Sequence, residues 1–151
     1  MFQVTNERID ACALAQALQL PAAGACVSFD GRVRDHHQGR MVLRLEYEAY
    51  RSMAEAEGGR ILAEARERFP ILDACCRHRV GLLEIGECAV WIGVLAAHRQ
   101  AAFQACEYII DQVKARVPIW KKEFYADAPP EWVFAPRPQA ADLGREGEVI
   151  S

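Results

Sequence analysis

The sequence lacks the features that would place the protein in a membrane or on the secretory route. None of its apolar runs reaches the roughly 18 residues that a membrane-spanning helix needs. The N-terminal segment MFQVTNERID has neither a basic start nor an apolar core, which does not fit a signal peptide. With 151 residues, 52% of them hydrophobic and 26% charged, the chain has enough apolar material for one compact domain. We therefore expect a cytoplasmic protein without a membrane partner.

The cysteines offer neither a CxxC motif nor a metal-binding spacing. Six are present, scattered among apolar neighbours: Cys12, Cys26, Cys75, Cys76, Cys88 and Cys106. In a cytosolic chain of this size such residues are more often buried small hydrophobic side chains than disulfides or ligands. Cys75 and Cys76 could suggest zinc together with His78, but adjacent strand residues point to opposite faces and cannot easily share one ion. We therefore expect no metal site and no cofactor.

Sequence motifs for several common chemistries are also missing. There is no GxSxG elbow, no Walker loop and no GxGxxG, and there is neither an internal repeat nor a low-complexity stretch. The net charge of −3 argues against a surface that attracts nucleic acid. The cations are nevertheless concentrated in two segments, GRVRDHHQGR over 31–40 and KARVPIWKKE over 114–123. This distribution is typical of a protein that handles a small anion.

Period-two and helical patterns predict seven strands and three helices in the order βαββαββαββ. The predicted strands cover 2–5, 25–34, 41–50, 72–80, 87–96, 119–127 and 131–135, and the predicted helices cover 7–19, 52–69 and 98–116. This order indicates an α+β domain with a mainly antiparallel sheet and three helices. We expect the domain to span 1–135. The segment 136–151 has little apolar content and is predicted to form a flexible tail.

The strand patterns also predict how strands pair and which face each side chain occupies. The alternation over 25–34 and 41–50 predicts a long antiparallel hairpin around the DHHQG turn. It also puts Arg32 and Arg34 on one polar face. The strand over 87–96 is apolar on both faces, so it should lie centrally in the sheet.

The helix patterns predict caps, contacts and a buried stripe. Asn6 is the expected N-cap of the first helix. Gly58 and Gly59 inside the second helix indicate that another group approaches the backbone closely, or alternatively that the helix is kinked. Glu64 and Arg68 can pair across one turn. The buried stripe of the third helix is predicted to contain Phe103, Cys106, Ile110, Val113 and Val117, with Ala102 and Ile109 beside them.

The candidate functional residues are cations at the ends of the predicted elements. They are Arg32, Arg34, His98, Arg99, Lys114, Lys121 and Lys122. Several of them have a plain structural explanation: Arg99 can be solvated, His98 can cap a helix, and Lys114 suits the helix dipole. One of two consecutive lysines can be a solvated edge residue. Their joint recurrence favours a single anion-binding pocket, because fixed cations and helix N-terminal amides both attract anions.

Five segments resemble, in order, the motifs of the large subunit of molybdopterin synthase, the MoaE family: FDGRVRDHHQG, LEYEAYRSMAEAE, HRVGLLEIGE, AHRQAAFQACEYIIDQVKARVPIWKKE and EWV. The resemblance extends over about 23–133. Its most specific part is the combination of H-R-x-x-A-F with K-x-R-x-P-I-W-K-K-E. It implies an α/β-hammerhead-like fold and a homodimer at the centre of a heterotetramer.

The resemblance further implies a sulfurtransferase that makes the molybdopterin dithiolene in molybdenum cofactor biosynthesis. A small ubiquitin-like sulfur-carrier subunit ending in Gly-Gly would insert its C-terminal thiocarboxylate into the pocket and donate sulfur to cyclic pyranopterin monophosphate. Lys114 and Lys121 match the family's catalytic lysines. The substrate-binding set implied by the same motifs is Arg32, Val33, Arg34, His98, Arg99, Lys114, Lys121, Lys122 and Glu123.

The chemistry of such a reaction requires a cationic pocket. A cyclic phosphate and a thiocarboxylate would have to meet in one place, and fixed cations reduce the repulsion between two such anions. Arginine suits bidentate phosphate binding, and lysine can pass protons. The resulting hypothesis gives Lys114 the thiocarboxylate end and the main acid–base role, gives Lys121 the pterin intermediate, and gives Arg34, His98 and Arg99 the phosphate. The alternatives are a non-catalytic dimeric module that docks an acidic peptide tail and another cytosolic enzyme that acts on a phosphorylated metabolite without a protein donor.

Two positions depart from the family's usual pattern. His37 stands where the family usually has asparagine, in the turn after Arg34, so this loop is expected to contact the substrate differently. Ala128-Pro129-Pro130 replaces the usual Asp-Gly-like turn before Trp132. This second change is expected to alter a loop rather than the chemistry.

Overall fold

The computed structural model describes residues 1–133, in which two sheets and a layer of helices meet. The strands are β1 (Phe2–Thr5), β2 (Ala25–Arg32), β3 (His36–His37), β4 (Arg40–Ala49), β5 (Ile71–Arg79), β6 (Gly81–Glu84), β7 (Cys88–Ala96), β8 (Ile119–Tyr125) and β9 (Glu131–Val133). The helices are α1 (Ala11–Ala17), α2 (Arg51–Arg68) and α3 (Arg99–Arg116). No helix among the described residues is long and apolar enough to span a bilayer.

The first sheet carries the main core. Its strand order is β1-β5-β7-β2, with β1 and β5 parallel and the other neighbours antiparallel. The central position predicted for the doubly apolar strand is confirmed, since β7 lies between β5 and β2. Val90, Ile92 and Val94 face α2 and α3 in the main core, whereas Trp91 is buried on the opposite face. A strand enclosed in this way needs apolar side chains on both faces.

The second sheet stands beside the first and has a smaller core of its own. β4 pairs with β8 along one edge and with β3 and β6 along the other, and β9 extends β8. Its core contains Val33, Val42, Leu45, Leu83, Ala89 and Tyr125. Val33 and Ala89 belong to the first sheet's side of the molecule, so this cluster joins the two sheets. The predicted fold class, α+β with mainly antiparallel strands and three helices, is confirmed.

The predicted long hairpin between 25–34 and 41–50 is wrong. β2 pairs with β7 instead, and β4 pairs mainly with β8. A turn does form in DHHQG, but it joins only β3 to the start of β4 through Gln38 and Gly39, whose φ values are 52° and 77°. Two positive φ values suit a tight two-residue hairpin turn. Alternation predicts that a segment is a strand but contains no information about its partner.

The helices differ from the predictions at two points. The N-cap of α1 is Asp10, whose carboxylate accepts a hydrogen bond from the Ala13 amide at 3.0 Å; Asn6 instead accepts one from Arg51. In α3 the residue Phe103 is 60% exposed, and alanines fill its place in the buried stripe. Small side chains at those positions let α3 pack close to the first sheet.

Two further expectations concern cysteines and chain ends. Cys12 and Cys26 are exposed rather than buried, while Cys76 and Cys106 are buried as expected. The flexible tail predicted for 136–151 lies outside the described residues, and the single domain over 1–135 stays a prediction.

Candidate functional site

One cavity at the junction of the two sheets brings together five of the predicted site residues. It encloses about 150 Å³, and the five residues in its wall are Arg32, Arg34, Lys114, Lys121 and Glu123. They come from the end of β2 and the loop after it, the last turn of α3, and β8. Residues more than 80 positions apart in the sequence therefore share one wall.

The charges around this cavity are predominantly positive. Its wall contains four Arg and Lys side chains and a single carboxylate, that of Glu123. Arg32 pairs with Asp30 at 2.9 Å, and Lys121 pairs with Glu123 at 3.1 Å. Within residues 1–133, Arg34 and Lys114 make no ion pair shorter than 4.0 Å. Two cations thus face the cavity without an anionic partner, which suits it to an anionic ligand.

Glu123 is a buried carboxylate held by three donors. Glu123 is only 1% exposed, and its Oε2 accepts hydrogen bonds from the Tyr125 hydroxyl at 2.7 Å and from His37 Nδ1 at 2.9 Å. Its Oε1 faces the ammonium of Lys121. Burial alone would raise the pKa of Glu123, but the hydrogen bonds from Tyr125, His37 and Lys121 lower it below its ordinary value. Glu123 is therefore an anion that fixes the side chains around it.

An apolar cavity of about 180 Å³ adjoins the charged one. Lys114, Lys121 and Tyr47 belong to the walls of both. His78 lines the apolar cavity and packs edge-on against the Tyr47 ring, with the ring centroids 5.1 Å apart. Burial lowers the pKa of His78 to about 4, and burial together with the Glu123 charge raises that of Tyr47 to about 12. Both rings are therefore neutral at pH 7, and the two lysines stand between a charged and an apolar compartment.

The remaining predicted site residues lie outside both cavities of this chain. Val33 is buried in the smaller core. Lys122 points to the other face of β8, where its Nζ lies over the rings of Phe124 and Trp132. His98 and Arg99 are exposed at the N-terminal end of α3.

The distance along α3 separates the two groups of cations. Arg99 opens the helix, and Lys114 lies in its last turn. Fifteen residues at 1.5 Å per residue place their backbones about 22 Å apart. Arg99 and Lys114 of one chain therefore cannot contact the same phosphate or carboxylate group.

Several residues of the site were not predicted from the sequence. His36 and Tyr47 line the charged cavity, and Tyr125 holds Glu123. The loop that contains His37 was expected to contact the substrate, but the bond from His37 to Glu123 was not predicted. Alternation along β8 was a sufficient signal for Tyr125, because it places residues 121, 123 and 125 on one face and Lys122 on the other. The positions of His37 and Tyr47 depend on the packing of the two sheets, for which the sequence gives no comparable signal.

Neither cavity is lined by a cysteine, and the described residues contain no metal cluster. Burial raises the pKa of Cys88 and of Cys106 to about 11, and it raises that of Cys75 as well. Within 1–133 no group of three His, Cys, Asp or Glu side chains is arranged to hold a metal ion. The chemistry of the cavity must come from its lysines, arginines and hydrogen-bonded carboxylate, together with whatever binds there.

Comparison with known proteins shows the family. The family model described as MoaE protein matches residues 4–116. A molybdopterin synthase catalytic subunit from Thermoplasma volcanium is 42% identical over 130 residues, which cover 86% of this chain and 95% of that protein. The crystal structure of molybdopterin synthase from Staphylococcus aureus superimposes with a TM-score of 0.82 at 38% identity, covering 88% of this chain and 96% of that one.

A more distant structure shares the fold. It comes from the complex of subunits 1 and 2 of molybdopterin-converting factor from Helicobacter pylori, and it superimposes with a TM-score of 0.71 at 20% identity, covering 90% of each chain.

These comparisons distinguish between the functions left open by the sequence. The Thermoplasma volcanium relative is a catalytic subunit, so this chain is an enzyme subunit of molybdenum cofactor biosynthesis, and the non-catalytic docking module is not supported. The chain belongs to the MoaE family, the family of the molybdopterin synthase catalytic subunit.

Proposed function

We propose that this chain transfers sulfur from the C-terminal thiocarboxylate of a small ubiquitin-like subunit to cyclic pyranopterin monophosphate. Each transfer replaces a carbon–oxygen bond of the pterin with a carbon–sulfur bond, the oxygen leaving with the opened phosphate or as water, and breaks the carbon–sulfur bond of the donor. Water supplies the oxygen that returns the donor's C-terminus to a carboxylate. A dithiolene has two sulfurs, so two donor molecules are consumed for each product. The sulfur comes from the partner, and the enzyme needs no reactive cysteine.

The observation that carries this proposal is the shared wall of the two cavities. Lys114 and Lys121 stand where a positively charged compartment meets an apolar one. The ring system of a pterin phosphate suits the apolar compartment. Its phosphate and the thiocarboxylate beside it are two anionic groups that suit the positively charged compartment. Cations fixed before the reaction stabilise charge that develops during it, without the cost of reorganising solvent.

Each side chain of the charged compartment has a role that follows from its contacts. Lys114 has no anionic partner among the described residues, so its ammonium can meet the thiocarboxylate and transfer protons. Arg34, also unpaired, suits the phosphate because a guanidinium binds it through two parallel hydrogen bonds. Lys121 is held by Glu123 and therefore presents its ammonium in a fixed position to the pterin intermediate.

His98 and Arg99 enter the proposal as residues of a second copy of the chain. They lie at the far end of α3 from the cavity and are exposed there. A two-fold dimer that brings the N-terminal end of one α3 to the cavity of the other chain would add an imidazole and a guanidinium to each pocket. The positive end of the helix dipole would also attract an anion to the pocket.

Reconstitution with purified components tests the proposal. The assay combines the chain, the thiocarboxylated small subunit and the pyranopterin precursor, and it measures dithiolene product. We expect Lys114→Met to lower turnover about 100-fold, the usual scale for removing an acid–base group. Affinity for the small subunit, measured by calorimetry, should change only a few-fold. Arg60→Met is the control, because Arg60 is exposed on α2 and pairs with Glu57 away from the cavity.

The outcomes separate the proposal from its rival. A docking module predicts that Lys114→Met weakens binding of the small subunit without a separate chemical defect. Near-normal turnover by Lys114→Met would contradict the role given to this residue.

The two adjacent lysines of β8 provide a matched comparison. Lys121→Met should lower turnover by about 100-fold. Lys122→Met should lower turnover far less, because Lys122 lies on the opposite face of β8 over two aromatic rings. Equal losses in the two variants would mean that the face of the strand does not determine the function of its lysines.

A further inference from the structure

His37 makes a contact that neither its sequence position nor the predicted site residues explain. It lies on β3, 86 residues away from Glu123 in the sequence, and its Nδ1 is 2.9 Å from Glu123 Oε2. Because an ionised carboxylate can only accept hydrogen bonds, Nδ1 carries the proton and donates it. His37 thereby ties the turn after Arg34 to the carboxylate that holds Lys121.

The two oxygens of Glu123 have different partners. Oε2 receives the Tyr125 hydroxyl and the His37 ring, and Oε1 faces Lys121. Burial and the bond to Glu123 raise the pKa of Tyr125, which keeps its hydroxyl protonated and donating. The orientation of the carboxylate at Oε2 thus determines where Oε1 holds the ammonium.

We propose that His37 is a positioning residue, which acts through Glu123 to hold the Lys121 ammonium at its place in the cavity. The role given to Lys121 rests on the function proposed above, whereas the contacts that hold it do not. The terminal torsion of a glutamate is broad, so one donor at Oε2 leaves the carboxylate plane free to turn. Donors from β8 and from β3 together fix it from two directions.

Loss of the His37 ring would remove one of the hydrogen bonds to Glu123. A buried carboxylate that loses a charge-assisted donor is left incompletely hydrogen-bonded, and it rotates or shifts to recover a partner. Either movement displaces Oε1 and with it Lys121. An asparagine at this position keeps an N–H donor on a shorter side chain, whereas leucine fills the space without one.

Kinetics of single and double variants test this role. We expect His37→Leu to lower kcat about 10-fold with KM for the pterin changed less than about two-fold, since a displaced group mainly affects the transition state. His37→Asn should stay within about three-fold of the starting protein. In a Glu123→Gln background, His37→Leu should cost less than about two-fold more, because two residues that act through one contact are not additive.

His36→Leu is the matched control for the double-variant comparison. His36 belongs to the same short strand, but its ring contacts Asp35 at 2.8 Å and not Glu123. Whatever its effect, it should be the same in both backgrounds. Equal losses from His37→Leu in the two backgrounds, or a His37→Asn variant as impaired as His37→Leu, would overturn the proposal.

A spectroscopic measurement keeps the test independent of turnover. The chain has only three lysines, so reductive ¹³C-methylation of its amines gives few NMR resonances. The resonance that disappears in Lys121→Arg is assigned to Lys121. We expect the Lys121 resonance to shift in His37→Leu and to return toward its original position in His37→Asn, with melting temperatures showing that both variants are folded. An unchanged resonance in folded His37→Leu would overturn the positioning role. Failure of the unaltered chain to make dithiolene would instead refute the proposed function and leave this result standing.

Discussion

Two adjacent glycines in α2 have opposite surroundings, which makes their substitution a sharp test of packing. A Cβ at Gly58 would lie only 2.1–2.4 Å from three ring atoms of Phe2, which β1 holds against the helix. A Cβ at Gly59 would meet nothing within 4 Å. The glycine pair therefore reflects a close approach at one position only.

We expect Gly58→Ala to lower the free energy of unfolding by about 2 kcal/mol, the usual cost of overpacking a core. Gly59→Ala should raise it by about 0.5–1 kcal/mol, because alanine has the higher helix propensity. Denaturant titrations of both variants measure the difference. Equal effects at the two positions would show that helix propensity alone accounts for the pair.

The same position shows what the sequence can predict at the scale of one residue. Two glycines inside a helical pattern were enough to predict a close approach, because their cost requires a reason. They could not identify Phe2 as the neighbour, since that contact depends on the parallel pairing of β1 with β5. Arg32 and Arg34 line one cavity, in agreement with their predicted shared face. The position of His37 in the same wall could not be predicted, because it depends on how the second sheet packs against the first.

At the scale of elements, a network of charged and polar side chains joins α2 to α3. Glu64 accepts two hydrogen bonds from Arg116 at 2.6 and 3.0 Å, and a third from Tyr108 at 2.8 Å. The predicted pairing of Glu64 with Arg68 is wrong, because the Arg68 guanidinium lies over the Tyr108 ring instead. Helical spacing allowed the local pair, and a better bidentate partner from another helix replaced it.

This network predicts a pH dependence of stability. The hydrogen bonds from Arg116 and Tyr108 lower the pKa of Glu64 to about 2. Its stabilising contribution is therefore present above the unfolded value of about 4.5 and is lost as the pH falls toward about 2. We expect Glu64→Gln to cost about 1 kcal/mol at pH 7, since the partly exposed group is screened by solvent.

Unfolding curves of both proteins from pH 7 to 2 measure this effect, and the difference between them should shrink below about pH 4.5. Glu67→Gln, on an exposed face of the same helix, is the control and should change stability by less than about 0.5 kcal/mol. A difference between the Glu64→Gln and starting proteins that persists unchanged at low pH would contradict the assigned cause.

The elements themselves were easier to predict than their arrangement. The third helix and the central strand were located to within a residue or two, because their patterns are long and strongly periodic. The hairpin between β2 and β4 was wrong, because alternating patterns in both strands fit many partners. The short β3 and β6 were missed.

At the scale of the whole molecule, the candidate cations form two groups at opposite ends of α3. The cavity contains Lys114 and Lys121, while Arg99 lies at the opposite end of an 18-residue helix. If one anion is held by all of these residues, two copies must contribute to each pocket. A two-fold arrangement would then form two equivalent pockets per dimer, each with α3 from both copies.

Mixing two inactive variants distinguishes a shared pocket from one built within a single chain. Lys114→Ala and Arg99→Ala are each expected to have little activity alone. After subunit exchange, half of the dimers contain one chain of each kind, and one of their two pockets has both native residues, so about one quarter of the original activity should return. Lys114→Ala mixed with Lys121→Ala is the control and should recover nothing, because both changes lie on the same side of the pocket. Recovery absent despite exchange verified by native mass spectrometry would place Arg99 outside the pocket, and the phosphate would then be held by Arg32 and Arg34 of one chain.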